Sequence, residues 1–412
     1  MICKKSTTQC LQTNEIVELV LAGLEPVLRG RKNALFIIPD STRSMPLPLL
    51  FPAINQAAKK SKCHIDYLIA LGTHPPLSTE EIGQLLGTES FFESRNNQIT
   101  RVFNHNWKDK KALTCLGTIS EQEVSHITDG LLNIEIPVVI NKLILAYDQI
   151  VICGPIFPHE VAGFSGGEKY LFPGIAGEEI IHITHWLGAL STSMETIGKM
   201  KTPVRQVIQR AAEFIETPIA NMAFCIKDKE VFGLFIGDLR ATWIEAVKLS
   251  TMLNIIYVPE KYRSVLSMPA NLYDELWTAA KAMYKLEPVV SDGGELIIFA
   301  PNINEISVTH GKSIKLVGYH VKDYFIKQWD QYCNYPWAVL AHSTHLKGKG
   351  TFENGIELPR IQVKLATGIP EELCHQINLG YIDPETISPK DWENKSDRLL
   401  VKNAGEVLYK SR

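Results

Sequence analysis

The sequence lacks the features that mark membrane proteins, disulfide-rich secreted proteins and nucleic-acid-binding proteins. No apolar run approaches the roughly 18 residues of a membrane-spanning helix, and no apolar segment follows the lysines near the N-terminus, so we expect no membrane anchor and no signal peptide. A net charge of -3 provides no basic field for a nucleic acid. The eight cysteines are scattered without a Cys-x-x-Cys pair, which argues against a zinc ribbon or an iron–sulfur cluster and predicts free thiols in the cytoplasm.

Internal repeats and low-complexity segments are also absent from the sequence. At 412 residues, the chain has room for about two to three domains. Strand-length apolar runs alternate with segments of helical spacing, which predicts two three-layer α/β domains with the active site in the cleft between them. We predict an N-terminal α/β domain over residues 1–262, to which residues 400–412 can return, and a C-terminal α/β domain over residues 263–399.

Three predicted strands in the first half run directly into polar turns. Residues 33–40 end in Asp40, residues 63–71 lead to His74, and residues 149–153 lead to a glycine-rich loop. Because α/β proteins bind ligands at the carboxyl edge of the sheet, these turns are candidate ligand contacts. From the residues alone, Asp40 can equally cap the next helix, and His74 can be a bystander. In the second half we predict helices over 271–286 and 321–333 and strands over 295–300, 336–341 and 360–366.

The stretch from Gly154 to Trp186 carries most of the candidate chemistry. Lys169 follows the paired glycines 166 and 167, which allow a tight loop and a close approach of the backbone to a ligand. His159 precedes this lysine by ten positions, and His185 follows it by sixteen. A lysine on a glycine loop between histidines predicts a cofactor site. Two simpler interpretations stay open at this point: the lysine can bind a phosphate as a point charge, and the histidines at 182 and 185 can form a zinc pair, although the HExxH spacing is absent.

Several separate motifs together resemble the nickel-dependent lactate racemase family. They occur in the order and at the spacing found in that family, and they extend over most of the chain. The motifs are DSTR at 40–43, LGTH at 71–74, PHEVAGFSGGEKYLFPG at 158–174, His185, Lys281 and LATGIPEELCHQINLGYIDP at 365–384. The resemblance implies an isomerase that uses a nickel-pincer nucleotide (nickel pyridinium-3,5-bisthiocarboxylic acid mononucleotide) joined covalently to a lysine.

Carried over by motif, the resemblance assigns roles to individual residues. It implies that His74 and His159 are the acid/base pair and that His185 is the protein ligand of nickel. The implied cofactor-binding residues are Lys169 as the attachment point, with Asp40, Thr42, Ser165, Gly166 and Gly167; the implied substrate-binding residues are Arg43, Lys281, Trp277 and Thr278.

These residue types suit the inversion of a hydroxy acid at C2. The hydrogen at C2 is a very weak acid, but its removal as hydride leaves a planar 2-keto acid that has lost its chirality. Two histidines can exchange the hydroxyl proton near neutral pH, and an arginine fork matches a carboxylate. The family reading therefore predicts a racemase or epimerase of 2-hydroxy acids. Alternatives are a non-catalytic cofactor carrier or ligand sensor, and a hydroxy acid oxidoreductase that releases the keto acid.

One departure from the family pattern concerns the substrate. By the same resemblance, lactate-specific members have a tyrosine and a glutamine at the positions where this sequence has Trp277 and Thr278. A pocket built to hydrogen-bond one group rejects analogues that lack it, so we predict a 2-hydroxy acid other than lactate. The expected partners are this small molecule and the enzymes that build the cofactor, with no nucleic acid and no membrane.

Overall fold

The computed structural model describes residues 1–88 and 100–412. Its helices are α1 (Thr13–Leu28), α2 (Leu47–Ser61), α3 (Thr79–Leu86), α4 (Glu121–Ile127), α5 (Glu178–Ser191), α6 (Ser193–Thr196), α7 (Pro203–Ala212), α8 (Leu239–Asn254), α9 (Leu276–Ala279), α10 (Lys281–Tyr284), α11 (Gly311–Val317), α12 (Lys322–Lys327), α13 (Trp329–Tyr332), α14 (Trp337–Lys347) and α15 (Glu371–Gln376). Within the described ranges, none of them is long and apolar enough to cross a membrane.

The strands are β1 (Ile2–Lys5), β2 (Asn33–Ile38), β3 (His64–Ile69), β4 (Val102–Asn104), β5 (Leu113–Ile119), β6 (Ile136–Asn141), β7 (Gln149–Pro155), β8 (Pro158–His159), β9 (Gly163–Phe164), β10 (Ile219–Lys227), β11 (Glu230–Asp238), β12 (Ile255–Val258), β13 (Tyr262–Pro269), β14 (Val290–Ala300), β15 (Gly350–Glu353), β16 (Ile356–Pro359), β17 (Gln362–Thr367), β18 (Gly380–Tyr381), β19 (Arg398–Ala404) and β20 (Leu408–Ser411). Alternation of these strands with the helices confirms the predicted α/β class.

The contacts divide the chain into two compact units. The first unit comprises residues 1–157, 164–181 and 205–253, and the second comprises residues 158–163, 182–204 and 254–412. The second unit thus includes three segments, 158–163, 182–204 and 254–262, that the predicted boundary at residue 262 assigns to the N-terminal domain. The predicted domain limits and the predicted cleft stay predictions.

A seven-stranded sheet organises the first unit, in the order β1-β11-β10-β7-β2-β3-β4. The central strands β10, β7, β2, β3 and β4 are parallel, whereas β11 and β1 add an antiparallel edge. Every residue of β7 is buried, and so are the last five residues of both β2 and β3. When both faces of a parallel sheet are covered, its strands have continuous apolar sequences. This is why these strands could be predicted from the sequence.

The chain order reverses direction within this sheet between β2 and β7. From β2 the chain proceeds outward through β3 and β4, and it later returns to place β7 and β10 on the other side of β2. In the register of the sheet, Ile38 pairs with Ile69 and Ile37 pairs with Ile152, so β2, β3 and β7 end at similar levels. Such a reversal point is the usual ligand site of an open α/β sheet.

The second unit contains a five-stranded parallel sheet in the order β18-β17-β14-β13-β19. Strands β12 and β20 form a separate parallel pair, which brings residues 408–411 back to 255–258. An antiparallel hairpin of β15 and β16 completes the unit.

Two sequence-based assignments in this second half were wrong. Residues 336–341, predicted as a strand, begin helix α14, whose residues 338–346 are all buried. A helix buried on every side has no amphipathic period, so a short apolar run cannot be told from a strand. The predicted helix over 271–286 is two single turns, α9 and α10, that meet at Ala280.

Gly154 in β7 provides a test of the packing behind the site. A Cβ at this position would lie 2.1 Å from the hydroxyl oxygen of Tyr170, so Gly154→Ala must displace that ring. We expect a loss of unfolding free energy of about 1–3 kcal/mol, as for other overpacked cores, measured by urea denaturation. A change below about 0.5 kcal/mol, typical of surface substitutions, would contradict the close contact of Tyr170 with β7.

Candidate active site

The loops that follow β2, β3 and β7 contribute the candidate residues of the first unit. Asp40 follows β2, His74 follows β3, and Lys169 lies in the loop after β7. The N–H of Gly72 donates to the carbonyl oxygen of Gly174 at 2.9 Å, which ties the second loop to the third. Parallel strands bring all three loops to one edge of the sheet, as the sequence predicted.

Asp40 is a buried carboxylate that orients His74. Its Oδ2 accepts a hydrogen bond from Nδ1 of His74 at 2.5 Å, and its Oδ1 accepts from the N–H and the hydroxyl of Thr42 at 3.1 and 2.7 Å. Burial acts to raise the pKa of Asp40, but His74, Thr42 and Arg43 together hold it below its ordinary value. Because an ionised carboxylate only accepts, His74 carries its proton on Nδ1 and keeps the Nε2 lone pair available when neutral.

Tyr170, the residue after Lys169, lies within electrostatic range of the charged groups that follow β2. Burial raises the pKa of Tyr170, while the charge of Arg43 lowers it and that of Asp40 raises it. Tyr170 is therefore close to both charged groups, and it is the direct neighbour of Lys169 in the chain. Lys169 itself is partly buried in a single 3-10 turn over Gly167–Tyr170.

The glycine loop has a conformation that side chains would not allow. Gly166 and Gly167 have φ angles of 74° and 59°, and a Cβ on them would lie 2.1 Å from Ile156 Cδ1 and 2.8 Å from Trp243 Cδ1. Ser165, predicted to bind the cofactor, uses its hydroxyl to bridge the β7 end: it donates to the Pro155 carbonyl and accepts from the Phe157 N–H. The backbone of this loop is therefore fixed on both sides.

His159 belongs to the second unit, where it is buried. The N–H of Val161 donates to its Nδ1 at 3.1 Å, and Oε2 of Glu160 lies 3.3 Å from the same nitrogen. These two partners make opposite demands, because the amide requires a lone pair on Nδ1 and the carboxylate requires a proton. His159 thus has a partner in its neutral form and another in its protonated form, which suits a residue that exchanges protons.

His185 lies in the part of helix α5 that belongs to the second unit, and it is partly exposed. Its neighbour Trp186 is buried and stacks on Trp329 with ring centroids 5.2 Å apart. This contact fixes the rotation of the helix about its axis. His185 and His182 lie three residues apart on α5, as the sequence predicted.

The predicted substrate residues of the second unit lie around α9 and α10. Trp277 is partly exposed, whereas Thr278 and Lys281 are buried. The hydroxyl of Thr278 donates to the carbonyl oxygen of Glu275 at 3.0 Å, which occupies its proton within the helix. The Lys281 ammonium lies 4.6 Å from the ring centroid of Tyr273, a cation–π distance.

Sequence reasoning gave no role to the histidines that surround Trp277. The rings of His342 and His310 have centroids 3.8 and 4.3 Å from that of Trp277, and Nε2 of His342 donates to the Trp277 carbonyl. Burial lowers the pKa of His342 to about 3 and that of His345 to about 4, so both are neutral at pH 7. His342 and His345 follow residues 336–341, which the sequence predicted as a strand, so their position on one helix was not recognised.

His105 has a structural role that the sequence left unexplained. Its Nε2 donates to the carbonyl oxygen of Ala176 at 2.9 Å, and its Nδ1 accepts from the side-chain amide of Asn141 at 3.2 Å. Burial lowers its pKa to about 4. A neutral His105 therefore anchors the segment that leads from the Lys169 loop into α5.

The predicted site residues divide between the two units. Asp40, Thr42, Arg43, His74 and the loop carrying Lys169 share an edge of the first sheet, while the second unit holds His159, His185, Trp277, Thr278 and Lys281. Across residues 1–88 and 100–412, no group of three or more histidine, cysteine, aspartate or glutamate side chains is arranged to hold a metal ion. The roles of the individual residues stay predictions.

The depressed pKa of Asp40 leads to a pH-dependent stability difference. Asp40→Asn keeps the shape but loses the charged hydrogen bonds, so we expect a loss of about 2 kcal/mol of unfolding free energy at pH 7. The stabilisation is complete above the ordinary aspartate pKa and is lost as the pH falls through the lower folded-state pKa, so the difference should shrink below about pH 4. Urea denaturation at pH 7 and pH 3.5 measures this.

Asp148→Asn is the control, since this exposed carboxylate accepts a backbone N–H from Lys32. It should change the unfolding free energy by less than about 0.5 kcal/mol at either pH. An Asp40→Asn difference that is equal at both pH values would refute the assigned ionisation.

Comparison with known proteins gives a consistent assignment. A family model described as the lactate racemase N-terminal domain matches residues 4–198. Lactate racemases of Thermoanaerobacterium thermosaccharolyticum and Lactiplantibacillus plantarum are 25% and 26% identical to this chain over 288 residues. These matches cover 67% of this chain and 62% of each relative, so the chain spans less than two thirds of the relatives' length.

Two solved structures share the fold over nearly the whole chain. The crystal structure of a Thermotoga maritima protein has a TM-score of 0.89 and 31% identity, and the match covers 99% of this chain and 100% of that one. The structure of the lactate racemase apoprotein from Thermoanaerobacterium thermosaccharolyticum has a TM-score of 0.75 and 19% identity, with 99% and 94% covered. The family model and the two curated relatives make this chain similar to lactate racemases over about two thirds of its length, and the two solved structures show that the fold is shared over nearly the whole chain.

Proposed function

We propose that this protein is a racemase or epimerase that inverts the C2 centre of a 2-hydroxy acid with a nickel-pincer nucleotide tethered to Lys169. The observation that carries the proposal is the Asp40–His74 pair at the same sheet edge as the Lys169 loop. This pair holds an oriented proton acceptor at the sheet edge that also carries the glycine loop with Lys169, in a chain whose curated relatives are named lactate racemases.

The residues present fit such a cofactor. The part of the chain that the structure describes offers no cluster of three metal-binding side chains, so a metal here would bring most of its ligands with it. Such a nucleotide would bring nickel with it, and His185 would be the protein ligand of the metal, because imidazole is a ligand type that nickel accepts. Gly166 and Gly167 let the backbone before Lys169 pack closely against Ile156 and Trp243, so the segment that leads to the amine is held in a fixed conformation.

When bound, the cofactor supplies a reversible acceptor for the hydride at C2. The protein's own side chains then have to transfer the hydroxyl proton and bind the substrate carboxylate. His74, with Nδ1–H directed to Asp40, takes the hydroxyl proton on Nε2 as the C2 hydrogen leaves with its electron pair. The substrate becomes a planar 2-keto acid, and the return of hydride to the opposite face, with a proton from His159 to the oxygen, gives the other configuration.

Arg43 is the proposed carboxylate anchor, assisted by Lys281. An arginine fork makes two parallel hydrogen bonds to a carboxylate, which fixes the plane of the group while C2 changes configuration. Trp277 adds a broad aromatic surface beside neutral imidazoles. This composition supports a 2-hydroxy acid other than lactate as substrate. The enzymes that build the cofactor are the proposed protein partners.

Lys169→Arg tests the tether, because it keeps the positive charge but lacks the primary amine that forms an amide. After coexpression with cofactor-building enzymes, peptide mass spectrometry of the unaltered protein should locate the adduct on Lys169, and the variant should carry none. Chiral chromatography with a panel of enantiopure 2-hydroxy acids should show interconversion of one substrate by the unaltered protein and none by the variant.

Lys199→Arg is the matched control, since this exposed lysine forms a surface ion pair with Glu195. It should retain the adduct and full activity. An adduct on another lysine would refute the tether, and accumulation of the keto acid in place of the mirror-image hydroxy acid would identify an oxidoreductase. An adduct without any turnover on the panel would identify a cofactor carrier or sensor.

A further inference from the structure

Arg205 is a charged side chain in the interior of the first unit. It lies on helix α7 and is 1% exposed. Burial lowers its pKa to about 10, while Glu168 acts in the opposite direction, so the guanidinium is protonated at neutral pH. A buried arginine–glutamate pair contributes little net stability compared with apolar side chains of the same volume, because removing both ions from water is costly. Stability alone therefore does not explain why Arg205 is buried here.

The contacts of Arg205 lead to the loop that carries Lys169. One guanidinium nitrogen donates to the carbonyl oxygen of Phe164, and another donates to that of Gly166 at 3.3 Å. The planar fork thus bridges two backbone oxygens that flank Ser165. Lysine has a single point of charge and cannot reproduce this fixed two-point geometry.

Trp243 on helix α8 completes the clamp. Its Nε1–H donates to the carbonyl oxygen of Ser165 at 2.9 Å, and Cζ of Arg205 lies 4.3 Å from its ring centroid. Three consecutive loop carbonyls, 164 to 166, therefore accept hydrogen bonds from two side chains that stack on each other. The same indole packs on Gly167, where a Cβ would lie 2.8 Å from Cδ1.

Glu168, the residue before Lys169, is held by charge in the same cluster. Its carboxylate is buried, and its two oxygens lie 3.5 Å from Arg205 and 3.5 Å from Arg240. The residues on the N-terminal side of Lys169, from Phe164 to Glu168, are therefore fixed by α7 and α8 through hydrogen bonds, packing and charge.

We propose that Arg205 and Trp243 are positioning residues that hold the 164–168 loop in one conformation, so that the Lys169 amine is presented for attachment of the cofactor. The inference rests on the proposed function for the identity of the attached group, and it assigns neither residue a contact with the substrate. Nothing in the local sequence around residues 205 and 243 distinguishes them from ordinary helix positions.

Two single variants test the clamp. Arg205→Lys keeps the charge but loses the fork, and Trp243→Phe keeps an aromatic ring but loses the N–H donor. Amide hydrogen exchange in peptides covering 164–169 should become about tenfold faster in each, as expected when a buried hydrogen bond of ordinary strength is lost. The fraction of protein with an adduct on Lys169 after coexpression should fall by a similar factor.

Arg210→Lys is the matched control, because Arg210 lies on the same helix, stacks on Phe214 and forms ion pairs with Glu123 and Glu213. It should leave both the exchange in 164–169 and the adduct fraction unchanged. If Arg205→Lys and Trp243→Phe leave the adduct fraction and loop exchange at the level of Arg210→Lys, the positioning role is overturned.

A double variant separates positioning from simple neutralisation of Glu168. Arg205→Met leaves a buried carboxylate without its main countercharge, and adding Glu168→Gln removes that charge. We expect the double variant to regain thermal stability relative to Arg205→Met but not the adduct fraction. Recovery of the adduct to the level of the unaltered protein would show that Arg205 only balances charge, and would overturn the proposal.

A readout that is independent of the cofactor distinguishes this proposal from the proposed function. In protein made without cofactor-building enzymes, the rate of amine labelling at Lys169 is compared with that of the other lysines in the same sample. Because the clamp presents the amine, its loss predicts slower labelling of Lys169, relative to the other lysines, in Arg205→Lys, even if the unaltered protein never acquires an adduct. An adduct on Lys169 with no such change in labelling would support the proposed function and refute the clamp.

Discussion

The site depends on the level at which three parallel strands end. Register places the ends of β2, β3 and β7 side by side at the point where the chain order reverses, and each strand then delivers one loop. The loops carry a carboxylate, an imidazole and an amine, which no single segment of chain could hold at one place. The backbone N–H and C=O groups of the strands are paired within the sheet, so the polar side chains that follow the strands are not needed to complete it.

Charge in the first unit is fixed by burial together with specific partners. Asp40 remains ionised because His74, Thr42 and Arg43 outweigh its desolvation, and the ionised form sets the tautomer of His74. The second unit uses burial in the opposite way, since His342 and His345 are kept neutral around Trp277 and Tyr284. Among the predicted substrate residues there, Lys281 is the one that carries a positive charge.

The sequence was informative where a local pattern determines the structure. Buried parallel strands appear as apolar runs, and Asp40 and His74 stand directly after them; paired glycines mark the loop before Lys169. Helix α14 was missed because it is buried on all sides and has no period. The clamp of Arg205 and Trp243 was missed for another reason: a buried arginine and an exposed one look alike in sequence, and only tertiary contacts between α7, α8 and the loop distinguish them. The division into units also depends on long-range contacts that no local pattern records.

The fate of the C2 hydrogen tests the central claim most directly. The cofactor-loaded protein is given a 2-hydroxy acid labelled with deuterium at C2, in ordinary water, and the inverted product is isolated by chiral chromatography and examined by mass spectrometry. Transfer as hydride out of contact with solvent predicts that the product keeps its deuterium. Replacement of the label by hydrogen from water would show that C2 loses a proton, and would contradict the account.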